Sequence, residues 1–182
     1  MSYKILKYEP EYFDKWNAFV AASINGTIFH RLDFLAYHGD KFSENIHHLM
    51  FFKGEALVAV FPLAIFNENG KTIARSPFGG SFGGIVIQKL FSFSESLTIM
   101  RELKKYLQSL SIDQLYLNES PSVYSDSFDE SLKYSFLQSG GQLNEADAFN
   151  IISLPTSVDQ LWVNLQGRAR STIRKYEDNF KI

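Results

Sequence analysis

The sequence predicts an α/β (α+β) domain, a mixed and mostly antiparallel sheet flanked by helices. Three observations carry this expectation. Apolar spacing switches repeatedly between alternating and helical repeats, in the order β-α-α-β-β-β-α-β-α-β-α. No low-complexity linker or internal repeat interrupts that order. The chain has 182 residues, 45% hydrophobic and 21% charged, enough for one domain with its own core.

The elements follow in turn. Residues 3–9 read as a short strand. Pro10 opens a helix, where its missing N–H does no harm, and Phe13, Trp16, Phe19 and Val20 recur at helical spacing up to Asn25-Gly26. A shorter helix over 32–37 closes at Gly39. Strands follow at 48–52 and 56–66, the second almost wholly apolar and so buried on both faces. Pro62 inside it predicts a bulge or the end of regular pairing. Asn67-Glu68-Asn69-Gly70 is a hairpin turn, and 71–76 returns as a strand. After a glycine-rich stretch, 85–87 is extended. Ser92 and Glu95 form a capping box before a helix whose Leu97, Met100, Leu103, Leu107 and Leu110 share one face. A strand at 114–117, a helix at 128–138 and a last strand at 148–154 complete the expectation. Ser157 and Gln160 cap a final helix that continues to the end of the chain without a terminator, which suggests a larger protein.

Composition excludes several functions. The net charge of −2 gives no overall basic field, which argues against general nucleic-acid binding. Cysteine is absent, so disulfides, thiolate ligands and a cysteine nucleophile are all ruled out. No apolar run approaches the roughly 20 residues of a membrane span, and no signal peptide is visible. The expectation is a cytoplasmic protein. No His, Asp or Glu set has zinc spacing, and no Gly-x-Ser-x-Gly elbow is present. The 17 Phe and 9 Tyr read first as an aromatic core and second as stacking surfaces for a planar ligand.

Two segments carry candidate binding chemistry. Gly79, Gly80, Ser81 and Gly83 belong to a run whose glycines let backbone approach a ligand and expose N–H groups to an anion. The same run could equally be a turn between strands. Arg168, Arg170, Arg174 and Lys175 form the concentrated positive patch. With Leu161, Leu165, Ala169 and Ile173 inward on one continuous helix, Arg170 and Arg174 share a flank suited to phosphate. A solvated helix face is the plain alternative. Among the four histidines, His30 and His38 could act as neutral general bases or could simply be hydrogen-bonded. Asp113, Glu119 and Asp147 are candidate carboxylates, but no two share a spacing that implies an acid/base pair.

The element order resembles the GNAT acyltransferase fold. Asn25-Gly26-Thr27-Ile28-Phe29-His30 with Phe34-Leu35 and Tyr37-His38, then Ala59-Val60-Phe61-Pro62-Leu63, then Ser76-Pro77-Phe78 and the glycine run to Gly84, then Leu161-Trp162 with the arginine cluster, resemble FemAB-like proteins in this order. The resemblance covers nearly the whole chain. It implies a GNAT-like first lobe over 1–156, an Arg-rich connecting helix from 157 to 182, and a missing C-terminal lobe. It implies N-acyl or aminoacyl transfer to the amine of a cell-envelope precursor or a nucleotide-linked sugar, with this chain as the acceptor-side lobe. The donor would be acyl-CoA or aminoacyl-tRNA in the complete protein, with no cofactor in this lobe. His30, His38 and Tyr37 would line the acceptor cleft as catalytic candidates. Gly79, Gly80, Ser81, Gly83, Arg170, Arg174 and Lys175 would bind substrate. One departure is plain. CoA-binding GNAT lobes carry a glycine turn for the pyrophosphate before the helix that follows the fourth strand, and Ile87-Gln88-Lys89-Leu90-Phe91-Ser92 has none. The alternative is a non-catalytic binding or interaction module of the same fold.

Overall fold

A computed structural model describes residues 3–127, 129–145 and 150–177. The chain divides into two compact units, Met1–Glu145 and Ala146–Ile182.

In the first unit, β1 (Tyr3–Lys7) leads through a turn at Pro10–Tyr12 into α1 (Phe13–Ala21). A turn at Ile28–His30, α2 (Leu32–Leu35) and a kinked segment Ala36–Phe42 follow. The strands β2 (Leu49–Lys53), β3 (Ala56–Phe61), β4 (Ala64–Glu68), β5 (Lys71–Ser76) and β6 (Val86–Ile87) come next. Then α3 (Phe93–Ser109), β7 (Gln114–Leu117) and α4 (Ser131–Gln138) complete the unit.

The strands form two sheets, ordered β1-β2-β3-β6 and β4-β5-β7. All pairings are antiparallel except β5 with β7. The division between sheets falls at Pro62. Proline offers no N–H to the ladder, so the apolar run read from the sequence ends at Phe61 and resumes at Ala64. The hairpin between β4 and β5 turns on Asn69 (φ 51°) and Gly70 (φ 75°), the positive angles such a turn requires.

Alternation along β2 sorts the core. Leu49 and Phe51 pack with residues of α3, such as Ile99 and Leu103, whereas Met50 and Phe52 pack with Trp16, Phe19 and Leu32 of α1 and α2. The sheet is therefore covered on both faces. Each fully buried side chain of this kind contributes about 1.5–3 kcal/mol.

The second unit holds α5 (Val158–Asn164) and α6 (Gly167–Tyr176). Here two expectations are corrected. The continuous helix from 157 is broken, because Leu165 and Gln166 are extended (ψ 141° and 147°). Gly167 has poor helix propensity and Leu165 lies in the break, so no single inward stripe runs from Leu161 to Ile173. Residues 150–154 form no strand, and Ile151, Ile152 and Leu154 stay exposed. Apolar alternation alone cannot make a strand, which needs a hydrogen-bonding partner edge. The expected helix at 128–138 begins at Ser131. Phe128, Asp147 and 148–149 lie outside the described residues. No helix among the described residues is long and apolar enough to cross a membrane.

Candidate functional site

The glycine run occupies a loop whose base is closed by the sheet. Ser76 at the end of β5 lies opposite Leu117 of β7. One step further, Asn118 N–H donates to Ser76 O at 2.8 Å, and Gly83 N–H donates to Asn118 O at 2.8 Å. Gly83 then pairs with Glu119 in parallel register. The chain thus leaves the sheet at Ser76, loops out over 77–82, and returns at Gly83. The Ser76 hydroxyl ties the two ends, donating to Pro62 O at 2.6 Å and accepting from Gly84 N–H at 3.0 Å. A Cβ on Gly83 would lie 2.6 Å from the backbone nitrogen of Pro77 and would also strike Ser76 Oγ, so only glycine fits.

Side chains from distant parts of the chain hold the loop by its carbonyls. Tyr37 Oη donates to Gly79 O at 2.6 Å. Asn118 Nδ2 donates to Ser81 O at 2.9 Å. His30 Nε2 donates to Gly83 O at 2.9 Å. The tautomer of His30 follows from its other nitrogen, since Nδ1 accepts Thr27 N–H at 3.0 Å and the proton must sit on Nε2. Burial lowers the pKa of His30, which keeps it neutral. Both its nitrogens are engaged in holding the backbone.

Because a peptide is planar and trans, a fixed carbonyl aims the following N–H the opposite way. The N–H groups of Gly79, Gly80 and Ser81 have no hydrogen-bond acceptor among the described residues. Gly79 and Ser81 are exposed. An aromatic rim surrounds them. Tyr37 packs on Phe34 (5.2 Å), and Phe82 links Phe29 (5.6 Å) to Tyr124 (6.2 Å).

His38 lies on the other side of Gly79. Its ring stacks on Tyr37 with centroids 3.9 Å apart, and a Cβ on Gly79 would come within 2.6 Å of His38 Nε2. Gly79 has φ +71°, a second reason for glycine there. His38 Nε2 is covered and has no hydrogen-bond partner among the described residues. Burial and then the Lys41 charge lower its pKa.

Glu119 stands at the base of the loop. A Cβ on Gly84 would touch its Cγ at 3.5 Å. The side chain keeps a solvent-facing side, yet surrounding protein crowds it enough to raise its pKa, mainly by desolvation. Glu130 adds to the rise and Lys133 opposes it. Ser120 Oγ beside it is covered and without a partner among the described residues. A carboxylate of raised pKa at the base of such a loop can accept a proton, and N–H groups without a protein acceptor can hold an anion or a polarised oxygen.

The sequence analysis singled out Tyr37, His30 and His38 as catalytic candidates and the glycine run as a binding segment; the structure brings them together, with Tyr37 and His30 bonded to the loop backbone. Sequence reasoning missed Asn118 and Ser76, and it singled out Glu119 only as a carboxylate without a partner. The available signal was position, because Asn118 and Glu119 follow directly on the strand at 114–117 and ligands gather at carboxyl ends of parallel strands. Arg170, Arg174 and Lys175 lie on α6 in the second unit, where Arg174 stacks over Trp162 at 5.4 Å. No group of His, Asp or Glu among the described residues could hold a metal ion.

Comparison with solved structures decides the architecture. A ribosomal-protein-alanine N-acetyltransferase from Brucella melitensis superposes with TM-score 0.52 at 14% identity, over 84% of this chain and 100% of that one. The enzyme AAC(6')-Iy, in complex with the bisubstrate analog CoA-S-monomethyl-acetylneamine, gives 0.52 at 10% identity, over 85% of this chain and 100% of its own. A protein from Thermus thermophilus gives 0.51 at 12% identity, over 85% and 99%. The chain has the GNAT acetyltransferase fold. No protein-family model matches the sequence, and no curated protein matches it.

The GNAT fold raises the question of CoA. A pyrophosphate cradle needs free N–H groups at the start of a helix, reached through glycines. The segment 87–92 before α3 has no glycine, and the first turn of α3 is capped by its own Ser92 and Glu95. The residues present do not fit a CoA pyrophosphate there.

Proposed function

We propose that this domain is the acceptor-side part of an N-acyltransferase. The observation that carries the reading is the glycine loop, held by the carbonyls of Gly79, Ser81 and Gly83, in which the N–H groups of Gly79, Gly80 and Ser81 have no protein acceptor among the described residues and Glu119 stands at the base. The GNAT fold supports the reaction class. In this reading the loop N–H groups bind an anionic group of a small-molecule or nucleotide-linked acceptor, and the aromatic rim receives its ring. Glu119 takes the proton that the attacking amine loses as its nitrogen bonds to the acyl carbon. The bond from acyl carbon to the donor's oxygen or sulfur then breaks, and the carrier leaves with a proton. His30 and Tyr37 are positioning residues for the loop, and His38 shapes the Gly79 side of it. Arg170, Arg174 and Lys175, on α6 of the second unit, are by themselves a set of cations suited to phosphate.

The order of motifs from Asn25 to Lys175 supports a FemAB-like placement. That placement brings a second lobe to carry an acyl-CoA or aminoacyl-tRNA donor, a cell-envelope or amino-sugar acceptor, and a cytoplasmic setting. The test is amide NMR of this chain with an amino-sugar nucleotide, followed by mass spectrometry after addition of acetyl-CoA or aminoacyl-tRNA to a protein that joins this chain to the proposed donor lobe. Saturable shifts at Gly80 and Ser81, and an acylated amine whose formation Glu119→Gln abolishes, are expected. Shifts without product would favour the non-catalytic binding module, a reading that the misfit of α3 to a donor pyrophosphate also favours. Silence at Gly80 and Ser81 would sink both.

A further inference from the structure

At the N-terminus of α3 the chain's own side chains occupy the helix cap. Its carboxylate there is fully engaged. Ser92 caps the helix, its Oγ accepting Glu95 N–H at 3.4 Å. Glu95 reaches back so that Oε2 accepts Ser92 N–H at 3.0 Å and the Ser92 hydroxyl at 2.8 Å. Its other oxygen, Oε1, lies 2.6 Å from Lys53 Nζ and accepts the Tyr3 hydroxyl at 3.2 Å. One carboxylate is thus held by α3, by the last residue of β2 and by the first of β1. The Lys53 hydrogen bond first, and the Ser92 donors next, pull its pKa down to about 2. It is an anion at any ordinary pH.

The approach is equally closed to a backbone cradle. No glycine occurs between Gly84 and Gly140. Phe91, immediately before the cap, is anchored in the core. Without glycine, the residues of 88–92 meet a steric cost at the positive φ angles that wrap N–H groups around a phosphate. An incoming pyrophosphate would meet a like charge already bonded to the Ser92 N–H at the mouth of the helix, and displacing Glu95 would take from Lys53 its ion-pair partner.

We infer that the N-terminus of α3 is closed to CoA, because the Glu95 carboxylate, held by Lys53 and Tyr3, fills the anion position that a donor's pyrophosphate would need. The acyl group therefore reaches this domain on a carrier seated elsewhere. The consequence for the donor rests on the acyl-transfer reading above, but the closure itself stands on α3 alone.

The experiment is amide NMR on the chain, with inorganic pyrophosphate and CoA as probes. In the wild type, the amides of 92–96 should stay unmoved by millimolar CoA. Glu95→Gln keeps the side chain's shape and removes its charge. It should gain a saturable response to pyrophosphate at those amides, at least tenfold stronger than the wild type. Saturable wild-type shifts at 92–96 in the micromolar range would overturn the inference, and so would a Glu95→Gln variant that gains nothing. If that variant does not fold, the Glu95 carboxyl can be titrated in the wild type by carbon NMR. A midpoint near pH 2 that CoA leaves unchanged supports closure, and a midpoint that CoA moves refutes it. The amides of Gly80 and Ser81 in the same spectra report the acceptor loop separately, so failure of the two readings can be told apart.

Discussion

The glycine loop and the start of α3 use the same chemical group in opposite ways. Both present backbone N–H groups at the end of a regular element. At α3 the chain's own capping box takes two of them, Ser92 N–H and Glu95 N–H. At the loop, side chains take carbonyls instead, and the N–H groups of Gly79, Gly80 and Ser81 have no protein acceptor among the described residues. What decides availability is therefore which half of the peptide the side chains engage. A helix end with a capping box is finished locally. A loop held by Tyr37, Asn118 and His30 is finished only by the fold, and it stays open to a ligand.

That contrast can be broken most forcefully at Gly83. Alanine there would drive a Cβ against backbone that cannot move without opening the β5–β7 junction. Gly83→Ala should cost about 3 kcal/mol in a chemical unfolding curve, whereas Ala substituted for the exposed Ser94 on α3 should change little. Equal, small effects at both sites would mean the loop base is not pinned.

His30→Ala comes next. It removes the donor to Gly83 O and the acceptor for Thr27 N–H at a buried site, so about 2–4 kcal/mol is expected. In a double-mutant cycle with Tyr37→Phe the two should couple, because both hold the same loop. Strict additivity would argue against one clamped unit.

Acid should loosen the loop from beneath. His48 lies under Phe78, the loop's buried anchor, with rings 5.5 Å apart, and Tyr8 and Trp16 cover it. Burial, with a smaller push from His47, lowers its pKa from 6.5 to about 3. Its folded pKa is thus depressed. The stability it contributes is complete above pH 6.5 and is lost as pH falls from there toward 3, because the unfolded chain binds the proton first. The folding equilibrium should weaken by about tenfold per pH unit from this group, roughly 2 kcal/mol by pH 5. His48→Gln should flatten that slope by one proton, measured as unfolding free energy against pH. An unchanged slope would show that His48 is not the group responsible.

The two regions also differ in how far the sequence revealed them. The α3 cap was legible, because Ser92 and Glu95 are three residues apart and their interaction is local. So were the Asn69-Gly70 turn and the interruption at Pro62, each a property of one or two residues. The loop's clamps were not legible as contacts. Tyr37 meets Gly79, Asn118 meets Ser81 and His30 meets Gly83 across 42, 37 and 53 positions, separations that no spacing rule encodes. The break between α5 and α6 was missed for a related reason. Apolar periodicity continued through Leu165, and only the weak propensity of Gly167 argued against one helix.

The smallest expected effect separates holding from stability. Tyr37 is exposed, and its hydroxyl reaches Gly79 O from the solvent side. Removing it as Tyr37→Phe frees a carbonyl that water can satisfy, so stability should fall by less than about 1 kcal/mol. The ring's stacking on His38 and Phe34 survives the change. What should change is the peptide between Gly79 and Gly80, which loses the bond that fixes its plane. The order parameter of the Gly80 amide in NMR relaxation should fall, while those of Ser92 and Glu95 at α3 stay the same. Affinity for an anionic ligand at the loop should fall several-fold. If the Gly80 order parameter is unaltered, the phenol is not what orients the loop, and the difference between the two regions must be sought in Asn118 and His30 alone.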